Sequence, residues 1–213
     1  MSPGERAAFA YAQARLQAHH GRRLSDTDWR RLEASRGAAH YLAAARAGSL
    51  AGWLEAIGDA DDGHTLEAKL HAAWTRHVDE VAGWVPADWR AALRWFGTLI
   101  QLPISARSDG DAATRWLARW RAALPRAHRD AELLHRSTHL LLPRLNEGQA
   151  ERDALAQAAR LAFKRLFRRH AGSPVAVLAA LGLAALDFER LRGGLVARVL
   201  LAPERGAREA DAS

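Results

Sequence analysis

Apolar positions along this chain recur at three- and four-residue intervals almost from end to end, which is the period of an amphipathic helix. The spacing predicts a first helix from Glu5 to His20, stopped at Gly21. Ser25 and Asp28 stand at capping-box spacing and open a second, with Trp29 and Leu32 on one face. A short helix is expected from Ala38 to Ala47. Ser49 is expected to cap another, carrying Leu50, Trp53, Leu54 and Ile57. The acidic stretch from Gly58 to Gly63 reads as a loop. A long helix from His64 to Gly83 then has the stripe Leu66, Leu70, Trp74, Val78 and Val81.

Val85-Pro86 separates that helix from one bearing Trp89, Leu93, Phe96 and Ile100, which ends by Pro103. Ser105 to Gly110 is the most polar internal loop and is expected to act as a hinge. Helices follow from Asp111 to Leu124 (Trp116, Leu117, Trp120), from Ala127 to Leu142, and from beyond Pro143 and Gly148 to His170. Gly172-Ser173-Pro174 resets the chain for a last helix reaching Leu201, with Gly193-Gly194 marking a bend or break. Strand signals are absent: there is no alternating β-branched run and no Asn-Gly hairpin. The expected fold class is therefore all-α, an irregular bundle of about nine helices with short loops. Residues 1–103 would form an N-terminal part, 111–203 a C-terminal part packed on it, and 204–213 a disordered tail.

Composition narrows the function more than the fold. The absence of cysteine removes disulfides, thiolate metal sites and cysteine nucleophiles, and fits a reducing cytoplasm. Met1 to Arg6 place no apolar run behind a basic segment, so no secretory signal is expected. The longest charge-free stretch, Ser173 to Leu186, is too short for a bilayer span and reads as a buried helix. The net charge is +7 and almost wholly arginine, with Lys69 and Lys164 the only lysines. Such an excess fits an acidic partner, a lipid headgroup surface or nucleic acid.

Catalytic motifs fail one by one. There is no Gly-x-Ser-x-Gly elbow and no Walker loop. His64, Glu67 and His71 share a helix face, and His135 and His139 have the spacing of paired ligands. Neither group completes a Glu-x-x-His pair of the kind a helical metal centre uses. No metal and no cofactor are expected. Asp59-Ala60-Asp61-Asp62-Gly63 is out of register with a calcium loop and reads as a turn and helix cap. Most of the eight tryptophans lie on apolar stripes and read as core, whereas Trp84 and Trp95 fall off theirs, leaving one to face a partner.

The strongest unusual feature is the tract from Arg160 to His170, with five cations and no acid. Leu155, Ala159, Ala162, Phe163 and Leu166 are expected on its apolar face, with Lys164, Arg165, Arg168 and Arg169 off it. These four are the candidate contacts to an anionic surface.

Short motifs also occur in a suggestive order. They are Tyr11-Ala12-Gln13-Ala14-Arg15-Leu16-Gln17-Ala18; Ser49-Leu50 with Trp53-Leu54; Leu66-Glu67 with Leu70; and Asp187-Phe188-Glu189-Arg190-Leu191-Arg192, followed by Arg198. In this succession the chain resembles the C/d family of V-type and archaeal-type (A-type) ATPase subunits, as a short bacterial member. The resemblance implies an all-helical, non-catalytic adaptor without a cofactor, coupling a central stalk to a membrane rotor ring on the cytoplasmic face. It implies other proteins of a membrane complex as partners, a cytoplasmic location peripheral to the inner membrane, and Tyr11, Arg15, Glu67, Asp187 and Arg192 as interface residues. Two other readings stand beside it: a helical nucleic-acid-binding protein using the basic helix, and a helical-bundle metal enzyme.

Overall fold

The computed structural model describes residues 2–101, 111–125, 129–139 and 149–201. Among them the chain is all-α, with ten α-helices, one 3-10 turn and no strand. The helices are α1 (Pro3–Gly21), α2 (Asp26–Glu33), α3 (Ala38–Arg46), α4 (Ala51–Leu54), α5 (Gly63–Gly83), α6 (Ala87–Gly97), α7 (Ala112–Ala123), α8 (Arg129–His139), α9 (Gln149–Arg169) and α10 (Pro174–Leu201). The 3-10 turn spans Thr98–Gln101, directly after α6. The expected hinge at Ser105–Gly110, Pro103, Pro143, Gly148 and the tail 204–213 lie outside the described residues.

Three local expectations need correction. The segment expected to be capped by Ser49 makes only one helical turn, Ala51–Leu54, and its N-cap is Leu50 without a side-chain cap bond. Ile100 falls in the 3-10 turn rather than in a helix continued from Trp89. Gly193-Gly194 does not break α10, which is continuous through both.

The chain separates into two compact units, each assembled from distant segments. Unit 1 is Met1–Ala18 with His77–Leu186, and unit 2 is His19–Arg76 with Asp187–Ser213. The boundaries fall inside α1, α5 and α10, whereas the division expected from the sequence lies near residues 103–111.

Unit 1 is built around aromatic side chains of α6 and α7. Phe96 meets Trp120 at 5.8 Å between ring centres, and Trp116 stacks on Trp120 at 5.9 Å and 16°. Phe9 of α1 meets Trp89 edge-on at 6.1 Å. Two glycines set helix spacing. A Cβ at Gly97 would lie 2.8 Å from Val78 Cγ2, and one at Gly182 would lie 2.5 Å from Phe163 Cζ. The bare backbone there is what allows α6 to approach α5 and α9 to approach α10.

Unit 2 buries Trp29, Leu32, Tyr41, Leu54, Leu66 and Leu70. Phe188 sits between Trp53 (5.6 Å, 74°) and Trp74 (5.4 Å, 37°). The capping box at Ser25 and Asp28 forms as its spacing predicts. Each side chain accepts the other's backbone N–H at 3.2 Å, and the bonds to Ser25 hold the Asp28 carboxyl below its usual range. Burial pushes the Tyr41 phenol up to about 12, against the pull of the Arg198 guanidinium over its ring at 4.2 Å.

Candidate interaction surface

The charge of this protein is divided unequally. Over its sequence, unit 1 holds 18 basic and 11 acidic residues, whereas unit 2 holds 13 of each, so the whole +7 excess belongs to unit 1.

Among the described residues of unit 2, many charges pair within the unit. The Arg192 guanidinium donates to Glu67 at 2.7 Å and to Glu189 at 3.1 Å. Asp187, nearly buried, receives Arg23 at 2.6 Å. Arg190 forks onto both oxygens of Glu33 at 2.6 and 2.8 Å, and Arg198 donates to the backbone carbonyls of Ser35, Glu33 and Gly194. Arg190 and Arg192, on nearly opposite sides of α10, therefore lace the helix to α2 and to α5. Burial pushes the Glu189 carboxyl up, while Arg192 draws it down by less.

The acidic loop acts the same way. Asp61 accepts from Lys69 at 2.7 Å and from the Gly58 N–H at 2.7 Å, in that order the causes of its lowered pKa. Asp62 caps α5 through the Thr65 N–H at 2.7 Å, and Asp59 pairs with Arg46 at 3.0 Å. These carboxylates serve as turn anchors and a helix cap. His71 stands 4.0 Å from Glu67, whose oxygens already serve Arg192. Among the described residues no group of three His, Asp or Glu side chains could hold a metal ion. The side chain of His139 lies outside the described residues.

In unit 1 the buried stripe of α9 is Ala159, Phe163 and Phe167, at i, i+4 and i+8. The expected apolar face is thus corrected in part: Ala162 is exposed, Leu155 and Leu166 are only part-buried, and Phe167 belongs to the core. Four-residue steps rotate the buried line about 40° per step, which carries it to Phe167 and away from Ala162. Arg165, Arg168 and Arg169 lie on the exposed side and Lys164 at its margin. Leu161 shares that side and is 50% exposed. None of these four cations has an ion pair among the described residues.

The structure brings Tyr11 and Arg15 together on α1, and adds Trp84. The Arg15 guanidinium lies 4.6 Å over the Trp84 ring and 5.8 Å from the Tyr11 ring, and donates to the Tyr11 hydroxyl at 3.2 Å and to Glu80 at 3.4 Å. Tyr11 stays 53% exposed.

The nine expected contact residues therefore fall into three places. Tyr11 and Arg15 share one exposed cluster. Lys164, Arg165, Arg168 and Arg169 share the outer side of α9. Glu67, Asp187 and Arg192 are internal braces of unit 2. Sequence reasoning misses Arg23, Glu33 and Arg190 as members of that bracing set. Their partners lie more than 150 residues away; Arg190 stands inside the quoted motif Asp187–Arg192, but no local pattern marks Arg23 or Glu33. No helix is long and apolar enough to cross a membrane among the described residues. No family model, no curated protein and no solved structure matches this chain, so the reading of its function rests on its own residues.

Proposed function

We propose that this protein is a non-catalytic helical adaptor of a membrane-bound complex, similar in role to the C/d subunits of V-type ATPases, coupling a central stalk to a membrane rotor ring on the cytoplasmic face. The observation that carries the reading is the outer side of α9: four cations without an ion pair among the described residues, beside an exposed leucine, in the unit that holds the whole charge excess. A face of this kind gains from an anionic partner, and each cation brought near an anionic membrane surface contributes about 1 kcal/mol. The Tyr11, Arg15 and Trp84 cluster supports a protein contact as well, since these residue types dominate binding hot spots. The ordered motifs that resemble the ATPase family point to the same class of assembly.

The test is affinity purification of the full chain from its native host in mild detergent. The reading expects the proteins of one membrane complex to co-purify in near-constant proportion. Recovery of the chain with nucleic acid, in an amount that falls steeply with salt, would favour phosphate contacts by the same cations and displace the adaptor reading.

A further inference from the structure

We propose that the outer side of α9 meets an anionic lipid bilayer directly, lying along its surface with the arginines at the headgroup phosphates and Leu161 at the acyl boundary. The membrane setting comes from the adaptor reading, on which this rests; the partner named here for the α9 cations is lipid rather than a protein subunit.

Around the helix axis Leu161, Arg165 and Arg168 fall within about 60° of one another, and each points about 140–160° away from the buried Phe163. Ala158 and Ala162 are exposed beside them, and Arg169 follows on the same side. One side of a single helix thus carries an uncharged turn and then three arginines, with Lys164 at its margin. From Leu161 to Arg169 the patch is about 12 Å long. Its field is not cancelled along the helix. No Asp or Glu occurs from Ala154 to Leu186. The acid that precedes the patch on α9, Asp153, stands about 16 Å along the axis from Lys164, beyond a screening length at physiological salt.

Three anionic partners would suit these charges, and the rest of the face chooses among them. A stable protein interface has an apolar core within about 800 Å² buried per partner. One half-exposed leucine between alanines is too small for that. Nucleic acid would take the arginines at its phosphates but leave Leu161 in water, and the aromatic rings of α9, Phe163 and Phe167, are buried where no base can stack on them. An anionic bilayer supplies phosphates in a plane and, just beneath them, an apolar layer within reach of a leucine. Arginine keeps its charge at the phosphates while its methylenes lie against lipid. With a single large apolar residue the binding is shallow, reversible and salt-sensitive.

The experiment is flotation of the full chain with vesicles of mixed phosphatidylcholine and phosphatidylglycerol, beside vesicles of phosphatidylcholine alone. Because the chain has no cysteine, Ala158→Cys gives one site on this face for an environment-sensitive fluorophore. The chain should float with the anionic vesicles and not with the neutral ones, and the fluorophore should shift to the blue on binding. Arg165→Gln with Arg168→Gln should weaken binding about thirtyfold, at about fivefold per cation. Leu161→Ser should weaken it about threefold to tenfold without changing its salt dependence, since it removes apolar contact and no charge. Circular dichroism of each variant checks that the helices remain. Four results would overturn the assignment: no flotation with anionic vesicles, undiminished binding in either folded variant, binding without a fluorophore shift, or duplex DNA stripping the chain from the vesicles at equal phosphate concentration. The vesicles hold no protein. Their failure to bind, with a membrane complex still co-purifying, would give the cations to a subunit and leave the adaptor reading standing. Vesicle binding without a co-purifying complex would sink the adaptor reading alone.

Discussion

Tyr41 packs against Gly194 so closely that a Cβ built on the glycine would fall 2.7 Å from the ring's Cζ. Gly193, its neighbour, would meet nothing within 4 Å. The pair therefore separates two roles of glycine in one helix. Gly194→Ala should destabilise the protein by about 1–3 kcal/mol through overpacking against Tyr41. Gly193→Ala should be neutral or stabilising by up to about 1 kcal/mol, because alanine favours helix. Urea unfolding of the two variants measures the contrast.

Arg23→Ala removes the guanidinium that pairs with Asp187, whose side chain is only 6% exposed. A carboxylate left in that setting loses a guanidinium partner at 2.6 Å, and breaking a buried pair from one side costs about 3 kcal/mol. The expected outcome is a clear fall in urea midpoint with an unchanged slope, read by circular dichroism.

Glu189 and the aspartates that cap helices and anchor turns act in opposite senses with pH. Glu189 has its pKa raised in the folded state, so its favourable contribution is present below the ordinary glutamate value of 4.5 and lost as pH rises through the folded value. Glu189→Gln should therefore raise the melting temperature at pH 7 and change it little at pH 4. Asp28, Asp61 and Asp62 have lowered values, so the stability they add is present above the ordinary value of 3.8 and lost as pH falls below it. Thermal melts of the wild type should accordingly decline steeply below about pH 4.

Much of the fold is legible along the chain because caps and breakers act locally. Ser25 and Asp28, Gly83 before Pro86, and Gly172 before Pro174 fix helix ends within a few residues of themselves. The basic tract is legible because it is contiguous. What local pattern does not carry is which stripe meets which. The union of residues 19–76 with those after 187 depends on Phe188 entering between Trp53 and Trp74. The pairing of Arg192 with Glu67 spans 125 residues. The motif residues Glu67, Asp187 and Arg192 read in sequence as contacts waiting for a partner, and the fold supplies the partners itself. Trp95 reads as an off-stripe residue, and its place beside Trp116 depends on the turn at Thr98–Gln101, which helical periodicity does not foretell.

The adaptor reading meets its most direct test in charge reversal on α9. Arg165→Glu with Arg168→Glu should leave the fold intact, because both side chains are exposed and unpaired among the described residues. Recovery of the full chain with membranes from its native host, measured by sedimentation over a range of salt, should fall in this variant. The deficit should be largest at low salt, where screening is least. Recovery equal to the wild type at every salt concentration, in a variant still helical by circular dichroism, would contradict the account.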